Sequence, residues 1–263
     1  MGKRITFPTR SFGSDAQDPD PAALAEWVGA RRGQAADLIT YQLEQGLIPQ
    51  LDSGVTLPCA GGRWYRERWL GALTGVEGTD ITGEMGCDPR HLIQDADDMN
   101  RMQKNLWLAV PSPRELGLTD RYFHDPEEAA HSLLSAYQEM MRAMRDAGIA
   151  GHVLLCERSD GEELETLAGR RVFFFTRDQT KKSLTLLLEH QSVVAVRPSG
   201  LGLIADLMGE YEIQKIVLID AGQEDLMRAL ELKDPDNLIC GGYCPDSCGV
   251  YWKSVVENAS LIR

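Results

Sequence analysis

The chain has 263 residues, 43% hydrophobic and 25% charged, a composition that excludes a disordered polymer and suits one large α/β core or two unequal domains. Its formal net charge of -13 opposes long-range attraction to nucleic acid or anionic lipid, so neither is an expected partner. The opening Met1 to Pro8 lacks an apolar signal core and no apolar run approaches the roughly 18 residues of a membrane span, which gives the expectation of a cytoplasmic protein with free or metal-bound thiols.

The polar lead Ser14 to Pro21 predicts a helix cap with Pro21 at the first helical position. Leu24, Trp27, Val28, Leu38, Ile39 and Leu43 then follow helical spacing to about Glu44, with breaks around Gly29 and Gly33, so one or two helices are expected. Residues 46 to 90 are dense in glycine and proline, and leave room for short elements only, among them a helix around Tyr65 to Leu73. In that stretch Trp64 or Trp69 is expected to pack inward, and the neighbouring arginines could grip an anionic or planar molecule. A further helix is expected from about Pro89 to Leu106, after which Pro111-Ser112-Pro113 breaks the chain. Residues 1–115 thus read as a helical, glycine-rich region.

Residues 116–263 read as a parallel α/β domain. A helix starting near Asp125-Pro126 and running to about Asp146 precedes the strand candidate Gly151 to Cys156. Four more strand candidates follow, Arg171 to Thr176, Ser192 to Val196, Lys215 to Ile219 and Asn237 to Gly241, separated by helical stretches near 178–190, 201–211 and 223–232. Short, nearly continuous apolar strands alternating with helices indicate parallel strands buried on both faces. Five such strands favour an open, Rossmann-like sheet. The alternative is a TIM-like barrel, which needs three further strands from the first half, where only Ile5 and Leu106 to Val110 are weak candidates.

Ligands of parallel α/β folds lie beyond the carboxyl ends of the strands, where this chain is polar. The five ends read Cys156-Glu157-Arg158, Thr176-Arg177-Asp178, Arg197-Pro198-Ser199, Asp220-Ala221-Gly222 and Cys240-Gly241-Gly242. Arg177 and Arg197 are candidates for clamping a small anionic substrate, with Ser199 beside them, while Asp220 or Glu157 could move a proton. Asp178, Ser199 and Asp220 are also ordinary helix-capping residue types at these positions. No P-loop, dinucleotide fingerprint or serine-hydrolase elbow is present, and the five histidines form no ligand motif.

The chemical signal that stands out is Cys240-x3-Cys244-x3-Cys248, three of six cysteines within nine residues rich in glycine and proline. Such a loop suits a metal centre, either an iron–sulfur cluster or zinc, completed by Cys156, Cys87 or Cys59. A redox-active or unliganded thiol set is the competing reading. The leading expectation is therefore a metal-dependent enzyme, a lyase or transferase, acting on a small anionic molecule. Alternatives are a zinc–thiolate alkyl transferase and a non-catalytic iron–sulfur or zinc protein that transfers electrons or serves a partner; self-association is left open.

Overall fold

Eight short parallel strands follow one another around a ring in the computed structural model, which describes residues 4–15, 18–31, 37–246 and 248–262. The strands are β1 (Thr9–Ser14), β2 (Cys59–Gly61), β3 (Trp107–Pro111), β4 (Gly151–Cys156), β5 (Val172–Thr176), β6 (Val193–Val196), β7 (Lys215–Ile219) and β8 (Leu238–Cys244). Backbone ladders join β2-β3-β4-β5 in one run and β6-β7-β8-β1 in another. Two joints link these runs. Between β1 and β2, the Ser11 N–H donates to the Leu57 carbonyl and the Leu57 N–H to Thr9, each at 2.9 Å. Between β5 and β6 a side chain takes the place of a ladder: the Gln191 amide accepts from the Phe174 N–H at 2.8 Å and donates to Val193 at 2.6 Å.

The alternation of side chains across each strand divides the apolar residues into two cores. One lies inside the ring and receives a residue from every strand: Phe12, Cys59, Ala109, Val153, Phe173, Ala195, Val217 and Ile239. The other faces the helices and includes Leu108, Leu154, Phe174, Val194, Ile216 and Leu218 from intervening positions. Burial on both faces explains why β4 to β8 read as nearly unbroken apolar runs. It also shows the sheet to be closed, since an open sheet has no inner core shared by its first and last strands.

Mixed α/β architecture, with parallel strands alternating with helices, agrees with the sequence reading. The five-stranded open sheet does not, because β4 to β8 are split between the two runs and β1, β2 and β3 complete the ring. Three features concealed those strands. β1 reads Thr-Arg-Ser-Phe-Gly-Ser, β2 is three residues long, and β3 is the weak candidate at Leu106 to Val110. The other weak candidate, around Ile5, lies in Arg4–Thr6, which pairs antiparallel with Ser260–Ile262 outside the ring.

The helices begin and end where local chemistry allows. Asp37 caps the helix Leu38–Ser53 by accepting from the Thr40 N–H, and Gly54, in a left-handed conformation, stops it. Asp125 accepts from the N–H groups of Glu127 and Glu128 to start Pro126–Asp146, whose Leu133, Tyr137, Met140 and Met144 form the buried stripe. The hairpin Leu73–Glu77 and Asp80–Cys87 packs outside the ring against this helix. Trp69 is buried as its spacing predicts, and the break expected at Gly33 lies outside the described residues. Among the described residues, no helix is long and apolar enough to cross a membrane.

Candidate functional site

At the carboxyl end of the ring the last strand is bent by one residue. Its register against β1 shifts between Gly242 and Cys244, so Tyr243 occupies a bulge, a device that re-aims a side chain at a strand end. The Tyr243 hydroxyl donates to Asp15 at 2.6 Å and accepts the Arg63 N–H at 3.3 Å. The Asp15 N–H in turn donates to the Cys244 carbonyl at 2.8 Å. Burial, then the hydrogen bond to Asp15, pushes the Tyr243 phenol well above its ordinary range, so it remains protonated. The close approach of these segments depends on Gly62, where a Cβ would lie 1.9 Å from the Ser14 carbonyl oxygen.

Next to this pair stands a charge cluster. Glu157, just past β4, lies 2.8 Å from the Arg63 guanidinium and 3.4 Å from that of Arg177. The Glu157 N–H donates to the Glu115 carboxylate at 2.8 Å, which brings a second acid to the same edge. Glu157 and Arg177 are about half exposed, so the cluster is open to water and to small solutes. Two of the residues read from sequence, Glu157 and Arg177, are therefore brought together.

Asp220 lies farther around the rim. It is one of few non-glycine residues with positive φ, at 54°, a conformation that Asp tolerates better than most and that recurs at functional positions. Its carboxylate accepts from the Tyr251 hydroxyl at 2.5 Å, and the two residues line a cavity of about 160 Å³ with Cys240 and Gly241. Arg197 is exposed, its N–H held by Gln179 at 3.0 Å, and its charge acts on Tyr251. Ser199 is exposed on the short turn after β6, and no described side chain bonds to its hydroxyl. Asp178 accepts from the Thr180 N–H, a local turn contact next to a helix start.

The expected metal centre is overturned by where the cysteines lie. Cys244 and Cys248 are bonded to each other as a disulfide. Cys59 is in the core inside the ring, whereas Cys156 and Cys240 belong to the core outside it, and Cys87 ends the external hairpin. Burial pushes the Cys156 and Cys240 thiols up to about 12, and burial with Glu139 beside it pushes Cys87 to about 11, so all three stay protonated thiols at neutral pH. Cys59 is raised further still by burial, against the charge of Arg10. Among the described residues, no group of three or more Cys, His, Asp and Glu side chains could hold a metal ion. The residues therefore fit neither an iron–sulfur cluster nor a cysteine-held zinc, and the metal-dependent enzyme, the alkyl transferase and the accessory metal protein all lose their basis.

The glycines around the cysteines have another explanation. A Cβ on Gly241 would meet Val217 at 2.6 Å inside the barrel, and one on Gly242 would meet the Tyr251 hydroxyl at 1.9 Å. They make room for core and rim side chains rather than for sulfur ligation. Spacing within nine residues concealed this because alternate strand residues face opposite cores.

Asp15, Glu115, Tyr243 and Tyr251 were not singled out in the sequence, and Arg63 only as part of an aromatic and basic loop. Tyr243 sat within the cysteine run, where the thiols dominated the reading. Asp15 followed a strand too polar to recognise.

No protein-family model matches the sequence, and no curated protein matches it. Among solved structures, the chain is similar to a putative vitamin-B12-independent methionine synthase from Listeria monocytogenes, with a TM-score of 0.64, 19% identity and coverage of 94% of this chain and 95% of that one. It is also similar to a B12-independent methionine synthase from Shewanella sp. W3-18-1 in complex with selenomethionine, with a TM-score of 0.65, 14% identity and coverage of 97% and 96%. At these identities the likeness is one of fold.

Proposed function

We propose that this chain is an enzyme that binds a small amino-acid-like molecule at the carboxyl-end mouth of its barrel. The observation that carries the reading is Glu157 held between Arg63 and Arg177, beside the Tyr243–Asp15 hydrogen bond. Barrel enzymes place their chemistry at this end, on loops supported by the strands. A cluster of both charge signs matches a ligand of both charge signs. Arg177 and Arg63 would take the substrate carboxylate, while Glu157 and Glu115 would take its ammonium group.

In this reading the Tyr243 phenol is a positioning residue: its single proton goes to Asp15 and its oxygen accepts the Arg63 N–H, so it would hold Arg63 at the mouth for the substrate carboxylate. Asp220, Arg197 and Ser199 form the far side of the rim, where they would select the substrate's side chain. The Shewanella methionine synthase of similar fold is in complex with selenomethionine, which makes methionine the first amino acid to test.

The test is a binding series with L-methionine, its decarboxylated amine and its deaminated acid. Both truncated molecules are expected to bind at least about tenfold more weakly than the amino acid. Equal binding of the amine or of the acid would remove the two-sign recognition on which the reading rests.

A further inference from the structure

The opposite end of the barrel carries a groove with different chemistry. It lies between the last turns of Pro126–Asp146 and the segment Thr166 to Val172 that leads into β5, and it encloses about 1010 Å³. Four arginines line it, Arg142, Arg145, Arg170 and Arg171, against two carboxylates, Glu139 and Asp146. In a chain of net charge -13 this concentration of cations runs against the overall balance.

The carboxylates in the groove are otherwise engaged or distant. Glu139 bonds to the Cys87 thiol, and Asp146 approaches Arg142 only to 3.9 Å, both side chains being more than 70% exposed. Among the described residues, no carboxylate lies within ion-pair distance of Arg145, Arg170 or Arg171. Instead the arginines crowd one another: after burial, the charges of Arg171 and then Arg142 act to depress ionisation of Arg145, with Asp146 opposing. The helix carbonyl end accounts for a cation at Arg145 but not for the pair Arg170-Arg171.

Four guanidinium groups against two carboxylates leave an excess of positive charge in the groove, and a multiply charged anion is the partner that would balance it. A single charge at so exposed a position would gain little, because each open ion pair contributes about 1 kcal/mol or less. Several phosphate-type oxygens engaging three or four guanidinium forks at once would gain more, since guanidinium geometry matches phosphate bidentately. Among the described residues no aromatic side chain lines the groove, so nothing among them calls for a base or ring on the ligand. We infer that this groove, formed by Arg142, Arg145, Arg170 and Arg171 at the amino end of the barrel, binds a small molecule dense in phosphate groups, at a site separate from the carboxyl-end mouth.

The experiment is titration calorimetry of inorganic triphosphate and monophosphate into the full chain, into Arg170→Ala/Arg171→Ala, and into Arg177→Ala as a control at the mouth. Triphosphate is expected to bind at least about tenfold more tightly than monophosphate, and to weaken by at least about tenfold in the double variant while Arg177→Ala leaves it unchanged. Binding should also weaken with added salt. Arg170 and Arg171 are exposed, so an unchanged thermal midpoint is expected to show that the double variant is folded. The inference is overturned if triphosphate does not bind, or if the double variant binds it as the parent does. It is equally overturned if the parent self-associates at low salt through this face and the double variant does not, which would make a second acidic copy the occupant.

Discussion

The Tyr243 hydroxyl donates a 2.6 Å hydrogen bond to the Asp15 carboxylate, 228 positions earlier in the chain, and ties the bulged end of β8 to the segment leaving β1. Tyr243→Phe removes this donor and also the acceptor of the Arg63 N–H. The expected cost is about 1 to 2 kcal/mol in stability, read from urea unfolding, because a partly buried carboxylate and an amide each lose a partner. Binding of L-methionine should weaken as well, because the Arg63 backbone loses its anchor at the mouth. A variant with parental stability would show that the bond does not hold the two ends together.

His152 gives the chain a defined acid sensitivity. It is fully buried on β4, neither ring nitrogen has a hydrogen-bond partner among the described residues, and burial, reinforced by Arg145, holds its pKa down to about 3. The unfolded chain binds the proton below about 6.5, whereas the folded chain refuses it down to about 3, so this residue removes stability as the pH falls through that window. Relative to His152→Leu, the parent should lose roughly 2 to 4 kcal/mol between pH 6.5 and 4. Parallel stability curves for the two proteins would contradict this.

Glu163 acts in the other direction. Burial raises its pKa from 4.5 to about 7 even though its carboxylate accepts the Arg114 N–H at 2.6 Å. Between these values the folded state keeps a proton that the unfolded state has lost, so stability declines as the pH rises from about 4.5 to 7. Glu163→Gln keeps the acceptor oxygen and has no charge to bury. Its advantage over the parent should grow with pH and level off above 7, by no more than about 3 kcal/mol in total. An advantage that shrinks with rising pH would reverse the assignment.

The disulfide between Cys244 and Cys248 staples the end of β8 to the first residue of the helix Cys248–Asn258. It closes a short loop, for which chain entropy gives a stabilisation of about 2 kcal/mol. A dithiol reductant should lower the unfolding midpoint of the parent and leave that of Cys244→Ser/Cys248→Ser unchanged. A parent insensitive to reductant would mean that the pair does not stabilise the fold in solution.

Much of the scaffold was readable from local chemistry. Asp125-Pro126 marked a helix start that the structure keeps, and the apolar runs of β4 to β8 lie within a residue or a few of their expected limits. Closure of the ring was not readable, because it depends on strands whose identity comes from tertiary pairing: Cys59–Gly61 is a strand only through its partners. The site divided in the same way. Glu157 and Arg177 are legible as candidates because they directly follow recognisable strands, while Asp15 and Tyr243 meet only when β1 and β8 pair. The cysteine run misled because sequence proximity does not say which core each residue faces; Cys240 faces the helices, and the next two cysteines are bonded to each other.

The central claim is that a small molecule of both charge signs is held at the mouth by Glu157 and its flanking arginines. Titration calorimetry of L-methionine into the parent, Glu157→Gln and Arg177→Ala tests it most directly. Both side chains are about half exposed, so neither substitution should change stability by more than about 1 kcal/mol, and each should weaken binding by at least about tenfold. No binding to the parent, or parental affinity in both variants, would contradict the account.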